Sequence, residues 1–304
     1  MADYLDPTYD LGFKLLFGRD QVSNEVLIEF LNALFEYCGG MPKITSIQYK
    51  NNERQSEWKE GKGIRYDILC RTETGHNFIV EMQKAPQQNF LKRAEYYVAR
   101  GLSEQGYKGK DDKDIEWDYS LEPVIGVFFC NFQVSELDPK IIVRTRIMDE
   151  DTSKPIGDLS RYIYIQLPFF KKEKQECDSL IDQWIYNLKN MGPNQEVAFK
   201  SRNEIFQRLE KISNVATLTP EERYSYDADV KNARDLLNQM RYAYNDGQAK
   251  GWAKGLSEGR AKGLSEGRAE GRAEGRAEAI AEQLQIAKEM GLPEDVISRL
   301  FGKK

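Results

Sequence analysis

The chain contains a single histidine, His76, among its 304 residues. One histidine excludes catalysis by a histidine pair and excludes metal sites built from several histidines of one chain. His76 follows Thr74-Gly75, which is typical of a hairpin turn, so we expect an exposed turn residue. The sequence also lacks a GxxxxGK(S/T) phosphate loop and a GxGxxG dinucleotide fingerprint, and GxSxG occurs only as the GLSEG repeats at 255–259 and 263–267, which follow no predicted strand and so form no nucleophile elbow. Carboxylates acting with a metal ion are therefore the leading catalytic chemistry.

Cysteines are few and far apart, with no CxxC pair: Cys38, Cys70, Cys130 and Cys177. This spacing argues against a disulfide framework or a structural zinc site and favours reduced thiols in the core. No apolar run approaches the roughly 18 to 20 residues of a membrane helix. The N-terminal MADYLDPTYD lacks the apolar stretch of a secretory signal. We therefore expect a cytoplasmic protein that does not associate with membranes.

The formal net charge of −5 gives no overall attraction to nucleic acid. DNA binding would need a local basic surface or a bound metal ion. Hydrophobic residues make up 40% of the chain, which is enough for a core. The length indicates one substantial domain with additions.

Hydrophobic periodicity gives a coarse secondary structure. Helical spacing covers residues 20–37 and 88–105, and from about residue 176 onward the pattern is wholly helical. β-rich segments predict strands at 44–50, 64–71, 76–83, 122–130 and 161–167, with a hairpin turn at 72–75 and loops at 51–63 and 106–120. Strands flanked by helices and then helices alone predict an α/β core with an all-helical C-terminal extension.

Two carboxylates lie on the two strands of the predicted hairpin. Because side chains alternate along a strand, Glu81 and Gln83 share one face, and a suitable register brings Asp67 beside Glu81. Glu81 ends an apolar strand, where a charge is costly unless it is paired or binds a cation. Two carboxylates and a backbone carbonyl suit Mg²⁺ or Mn²⁺, which can promote phosphodiester hydrolysis without histidine. The spacing alone leaves two alternatives open, a metal site or ordinary solvated strand carboxylates.

Four segments resemble, in order and spacing, the PD-(D/E)XK nuclease-family transposases, also called recombination-promoting nucleases. They are DLGFKLLFG (10–18), IRYDILCRT (64–72), HNFIVEMQ (76–83) and RAEYYVARGLSEQG (93–106). The resemblance covers roughly residues 6–170 and, more loosely, the helical tail. It implies a restriction-endonuclease-like core, with a mixed central sheet flanked by helices. It also implies Mg²⁺- or Mn²⁺-dependent DNA cleavage, linked to recombination or mobile elements.

By position, the resemblance implies that Asp67, Glu81 and Gln83 are catalytic, and that Asp67, Glu81 and the Met82 carbonyl hold the metal. Gln83 stands where the superfamily usually has lysine, as is usual in this branch. A glutamine supplies neither positive charge nor a base, and its amide can only orient a water or a phosphate oxygen. Weak or conditional activity would follow. The alternative function is a catalytically weak or inactive nuclease-fold protein acting in DNA binding or oligomeric assembly.

Basic and aromatic residues near the site are predicted to contact DNA. Arg93, Tyr97 and Arg100 share one face of the predicted helix at 88–105, and Lys84 follows the catalytic strand. The alternative is a helix that packs its tyrosines on the sheet and leaves its arginines solvated.

Four charged residues near the N-terminus are predicted accessories of the site: Asp10, Lys14, Glu25 and Glu29. Each has a plainer interpretation as a helix-surface or capping residue. For each of the four, the helix-surface or capping interpretation is the preferred one.

Glycine recurs at every fourth position from Gly247 to Gly275, and we call this segment the glycine ladder. Each glycine costs about 1 kcal/mol against alanine in a helix, so the segment is either flexible or stabilised by a partner. A surface of glycine and alanine permits close helix approach, and columns of arginine and glutamate can pair between chains. We predict a helical self-association element and hence a homo-oligomer. Charged residues in every tetrad exclude a membrane role.

These patterns predict three regions along the chain. They are a PD-(D/E)XK nuclease-like domain (1–172), a helical region (173–245) and a glycine-ladder tail (246–304). The predicted partners are DNA and further copies of the chain.

Overall fold

A computed structural model of the protein describes residues 3–39, 41, 43–51, 53–54, 64–106 and 119–301. The chain divides into two compact units, Met1–Ala233 and Arg234–Lys304. The first contains the sheet and every residue predicted to act in catalysis, and the second contains the glycine ladder.

The first unit is organised around a mixed sheet. Its strands are β1 (Ile47–Tyr49), β2 (Glu53–Arg54), β3 (Ile64–Arg65), β4 (Ile68–Thr72), β5 (Asn77–Gln83), β6 (Val124–Cys130), β7 (Ile142–Arg146) and β8 (Ser160–Gln166). Six of them form one sheet in the order β1-β4-β5-β6-β8-β7, while β2 and β3 pair separately. The central strands β5, β6 and β8 run parallel, and the outer strands are antiparallel to their neighbours. Every residue of β5 and β6 is buried, as expected for strands covered on both faces.

Helices cover both faces of this sheet. The helices are α1 (Asp10–Phe17), α2 (Asn24–Cys38), α3 (Phe90–Ser103), α4 (Leu180–Asn190), α5 (Glu204–Ser213), α6 (Pro220–Glu289) and α7 (Glu294–Phe301). On one face, Trp184 of α4 is fully buried between Phe30 of α2 and Phe206 of α5, at ring-centroid distances of 5.8 and 5.1 Å. On the other face, α3 packs Ala94 and Val98 against the sheet. Helices α4 and α5, which follow residue 172, therefore belong to the same core as α1 and α2.

This architecture confirms the predicted α/β fold, a mixed six-stranded sheet with flanking helices followed by a long C-terminal helix. The division of the chain at residues 172 and 245 stays a prediction. Within the described ranges, the helices do not combine the length and apolar composition of a bilayer span. All four cysteines are free thiols, and three of them are buried.

Several element boundaries differ from the sequence-based ones. The strand predicted at 64–71 is interrupted at Tyr66-Asp67, between β3 and β4. Strand β7 was not predicted, because it is an edge strand whose IVRTR sequence has exposed arginines in place of an apolar run. Helix α1 was also not predicted, since the first helix predicted from the sequence begins at residue 20. Most of the loops predicted at 51–63 and 106–120 lies outside the described residues.

In the second unit, the glycine ladder is helical throughout, as part of α6. Apart from the neighbouring backbone of its own helix, a Cβ added at any of its eight glycines would meet no described atom within 4 Å. Helix α6 ends in a Schellman motif, with Gly291 at φ +74° and the Leu292 amide donating to the Ala287 carbonyl at 3.2 Å. Helix α7 follows, and Ala287 and Ile297 are the buried residues around this turn.

Candidate active site

The hairpin of β4 and β5 places Asp67 opposite Glu81. Its register pairs Ile68 with Val80, so one further step along both strands brings the two carboxylates together. The Asp67 amide donates a hydrogen bond to Glu81 Oε1 at 2.9 Å, and the Met82 amide donates to Asp67 Oδ2, also at 2.9 Å. Each carboxylate therefore accepts from an amide of the opposite strand. Both are enclosed, with Glu81 only 3% exposed and the Asp67 side chain 9%.

The break between β3 and β4 opens the sheet at this point. Tyr66 is fully buried among the residues of α3, and its hydroxyl donates to the Tyr97 carbonyl at 3.2 Å. The ladder between β4 and β5 ends at Ile68. Because the amide and carbonyl of one strand residue point to the same neighbouring strand, the Met82 carbonyl faces the side of Asp67.

Helix α1 brings a lysine and a third carboxylate to Asp67. Lys14 Nζ lies 3.1 Å from Asp67 Oδ1 and 2.8 Å from Asp10 Oδ2. Gly12 packs directly over the Asp6 carbonyl, which an added Cβ would approach to 2.2 Å, so the segment before α1 lies close against the helix. Lys14 thus bridges the first turn of α1 and the β4–β5 hairpin.

Gln83 links Glu81 to helix α3. Its Nε2 donates to Glu81 Oε2 at 3.4 Å, and its Oε1 accepts a hydrogen bond from Arg93. Arg93 also donates to the Gln87 side chain. The amide therefore connects a carboxylate to a guanidinium.

Burial dominates the electrostatics of the carboxylates. It raises the pKa of Asp67, and Asp10 raises it further, whereas Lys14 lowers it. Burial also raises the pKa of Glu81, with an added contribution from Asp67 that Arg93 and Lys14 oppose. For Lys14, burial lowers the pKa, but the attraction of Asp67 and Asp10 outweighs it and the pKa is raised overall. In the absence of a bound cation, the protein therefore favours the protonated form of both buried carboxyls.

This donor set fits a hard divalent cation. Among the described residues, no three His, Cys, Asp or Glu side chains are grouped to hold a metal. The available donors are the two carboxylates of Asp67 and Glu81, with the Met82 carbonyl on the same side. A cation bound by oxygen atoms and retaining several waters, such as Mg²⁺ or Mn²⁺, needs no more protein ligands than these. Its positive charge would also favour the ionised form of the two buried carboxyls.

Comparison with known proteins identifies the family. Residues 7–243 match the PD-(D/E)XK nuclease family transposases. The chain belongs to this family. No curated protein and no solved structure matches it. The family region runs well beyond residue 170, into α6, which agrees with the burial of α4 and α5 in the core of the PD-(D/E)XK unit.

The residues predicted to contact DNA are arranged unequally around this PD-(D/E)XK site. Arg93 lies in it, and Tyr97 is half-buried beside Arg93, with the guanidinium 5.7 Å from its ring. Arg100 forms an ion pair with Glu104 at 3.3 Å. Lys84 turns to the N-terminal segment, with its ammonium 3.0 Å from the centre of the Tyr9 ring. Of these four predicted DNA contacts, the structure thus groups Arg93 and Tyr97 with Glu81 and Gln83.

The predicted accessory residues separate in the same way. Asp10 and Lys14 lie in the site. Glu25 forms an ion pair with Arg208 of α5. Within the described ranges, no hydrogen bond or ion pair joins Glu29 to Asp67 or Glu81. The structure therefore does not bring Glu25 or Glu29 into contact with the site, because helix α2 presents its apolar face to the core and these glutamates elsewhere.

Two residues of the PD-(D/E)XK site have no counterpart in the sequence-based prediction. Gln87 supports Arg93 from the loop before α3, and Tyr66 fixes the strand break beside Asp67. An aromatic residue directly before Asp67, the predicted catalytic aspartate, was a usable signal for Tyr66. Gln87 gave none, because its contact depends on the path of the loop.

Proposed function

We propose that the protein is a metal-dependent DNA endonuclease that hydrolyses phosphodiester bonds in recombination or mobile-element processes. The observation that carries this proposal is the buried pair of Asp67 and Glu81, placed opposite each other where the sheet opens. Burying two neighbouring carboxylates is unfavourable for the fold alone, which favours a cation-binding role. Membership of the nuclease family supports the same reaction class.

The proposed ligands of Mg²⁺ or Mn²⁺ are Asp67, Glu81 and the Met82 carbonyl. When bound, the metal would supply Lewis-acid activation of a water molecule and of the phosphodiester. Lys14 holds one Asp67 oxygen from the side of α1, which fixes the orientation of this carboxylate. Gln83 holds a Glu81 oxygen in the same way, and its amide orients groups without donating charge.

The proposed substrate is DNA, held by local positive charge because the chain is acidic overall. Arg93 and Tyr97 are the proposed contacts nearest to the carboxylates. Arg100 and Lys84 are proposed as peripheral phosphate contacts that would first have to leave their partners, Glu104 and Tyr9. A cytoplasmic location is part of the same proposal.

We further propose that copies of the chain associate through the glycine ladder. The open space around all eight glycines supports this, because the helix makes no use of their small size within its own chain. The exposed side chains of Trp252, Leu256 and Leu264 would be covered in such an assembly.

Plasmid cleavage tests the endonuclease proposal. Purified wild type, Asp67→Asn and Asp138→Asn are incubated with supercoiled plasmid in Mg²⁺, Mn²⁺ or EDTA. Asp138 is a matched control, because its carboxylate is exposed and, among the described residues, forms an ion pair with Lys140 alone. Loss of a group that merely supports a metal ligand costs about 10–100-fold, so loss of the ligand Asp67 should cost more. Cleavage that is equal in all three proteins, or that survives EDTA, would overturn the proposal.

The second candidate function is a nuclease-fold protein that binds DNA or assembles without cutting. It is favoured by one observation, that Gln83 leaves the strand without the usual lysine. Wild type that binds a DNA fragment or oligomerises, but never nicks plasmid in Mg²⁺ or Mn²⁺, would support it.

A further inference from the structure

The strand that carries the catalytic glutamate has no cation of its own. Gln83 is neutral, and it is buried with its amide between Glu81 and Arg93. A nuclease must stabilise negative charge on the phosphate as the reaction proceeds, and fixed cations are one means of doing so. The positive side chains around the site differ in whether a negatively charged partner already neutralises them.

Two of these cations are neutralised or held elsewhere. The ammonium of Lys14 contacts two carboxylates, Asp10 and Asp67. Lys84 donates to the Thr8 hydroxyl at 2.8 Å and lies over the Tyr9 ring. Neither points an unengaged charge toward a phosphate at Glu81.

Arg93 differs from both lysines. Its hydrogen-bond partners are two neutral side-chain amides, Gln83 and Gln87, and within the described part of the chain it forms no ion pair. The flanking rings of Phe90 and Tyr97 lie 5.9 and 5.7 Å from the guanidinium carbon. A guanidinium has five N–H donors, so donors remain for a further acceptor.

The geometry also explains why glutamine suits position 83. An amide presents an acceptor to Arg93 and a donor to Glu81, so one side chain keeps the guanidinium next to the carboxylate without an ion pair forming between them. A direct ion pair would consume the charge. Arginine also matches the two oxygens of a phosphate with two parallel hydrogen bonds, which an ammonium does not.

We infer that Arg93, positioned by Gln83, is the phosphate-binding cation of this site and replaces the missing lysine of strand β5. Arg93 is then a catalytic residue that touches the phosphate, and Gln83 is a positioning residue. The inference rests on the proposed nuclease function.

The test compares Arg93→Gln with the matched control Lys92→Gln, which removes the same charge from the neighbouring, exposed position of α3. Arg93→Gln should lower the cleavage rate by about 10²–10³-fold, as the loss of one transition-state donor does. Lys92→Gln should cleave like wild type. The double variant Gln83→Lys/Arg93→Gln returns a cation to the strand and should recover a large part of the lost rate.

Two further readouts separate a phosphate contact from a structural role. In EDTA, binding of a DNA duplex is measured at several salt concentrations, and Arg93→Gln should reduce the salt slope by about 1. Mn²⁺ binding and the thermal unfolding transition should stay as in wild type. Loss of Mn²⁺ binding or of folding in both Arg93→Gln and Arg93→Lys would overturn the inference, because Arg93 would then be a structural residue.

The outcomes also distinguish the inference from the nuclease proposal. If wild type cleaves and Arg93→Gln cleaves equally well, only the inference fails. If wild type does not cleave with any metal, the nuclease proposal fails. An unchanged salt slope in Arg93→Gln then overturns the phosphate contact independently.

Discussion

The sheet-containing unit and the glycine-ladder helix use the same residue types in opposite environments. Trp184 is fully buried in the first, whereas Trp252 is 74% exposed in the second. Gly12 packs against the Asp6 carbonyl, whereas Gly263 has no atom near its absent Cβ. The comparison shows that a residue type acquires a structural role only through what surrounds it. It also predicts that matched substitutions in the two regions will change stability by different amounts, and that some of these changes will have opposite signs.

The largest difference is expected for the tryptophan pair. Trp184→Ala removes a side chain at the centre of three helices and should destabilise the sheet-containing unit by about 3–5 kcal/mol. Trp252→Ala should change the unfolding of that unit by no more than about 0.5 kcal/mol. Denaturant unfolding followed by circular dichroism measures both. Equal losses would remove the contrast between the regions.

A smaller effect is expected for Gly12→Ala. The new methyl group would collide with a backbone carbonyl, so α1 must shift at a cost of about 1–3 kcal/mol. Lys14 lies half a turn later on α1, so cleavage should fall together with stability. Plasmid assays and denaturant unfolding measure the two effects. A variant with wild-type stability and activity would show that α1 adjusts freely.

The site contains buried carboxyls, whereas the glycine ladder is exposed. The stability and metal affinity of the site should therefore depend on pH. Because burial raises the pKa of Asp67 and of Glu81, the folded state binds more protons than the unfolded state above the ordinary carboxyl pKa of about 4. The free energy of unfolding without metal should therefore fall as the pH rises from about 4 through the raised pKa of Asp67, which is about 7. Metal binding must displace these protons, so Mn²⁺ affinity should rise with pH, by up to about tenfold per unit for each proton released.

Isothermal titration with Mn²⁺ at several pH values measures this dependence. Asp67→Asn should flatten the pH profile of stability, whereas the surface control Asp138→Asn should leave it unchanged. A Mn²⁺ affinity independent of pH would contradict the raised pKa values.

The smallest effect is expected in the ladder. Gly263→Ala should stabilise the helix by about 1 kcal/mol, because glycine is the poorer helix former and no contact is lost within the chain. If the ladder mediates association, the added methyl group should weaken it by separating the helices. Circular dichroism measures helicity, and sedimentation measures the oligomeric state. A more helical variant with unchanged association would count against self-association through the glycines.

The sequence predicts the parts of this structure that depend on local periodicity. Alternation along two strands anticipates the meeting of Asp67 and Glu81, and helical spacing anticipates α2 and α3. The contact of Gln83 with Arg93 could not be predicted, because it depends on the loop before α3, where Asn89 takes a left-handed conformation at φ 59°. The burial of Trp184 in the core of the sheet-containing unit could not be predicted either, because a helical pattern does not show which other elements a helix packs against.

The first and last parts of the sheet-containing unit are joined by hydrogen bonds across most of the chain. The Tyr226 hydroxyl accepts from the Asp6 amide at 2.8 Å, and Asp229 Oδ2 accepts from the Leu11 amide at 3.0 Å. During synthesis, more than two hundred further residues must therefore be added before the N-terminal segment can form these hydrogen bonds. The helix that carries Lys14 gains its final anchors only when residue 229 has left the ribosome. The order of translation thus delays the last contacts of α1 until nearly the whole sheet-containing unit has been made.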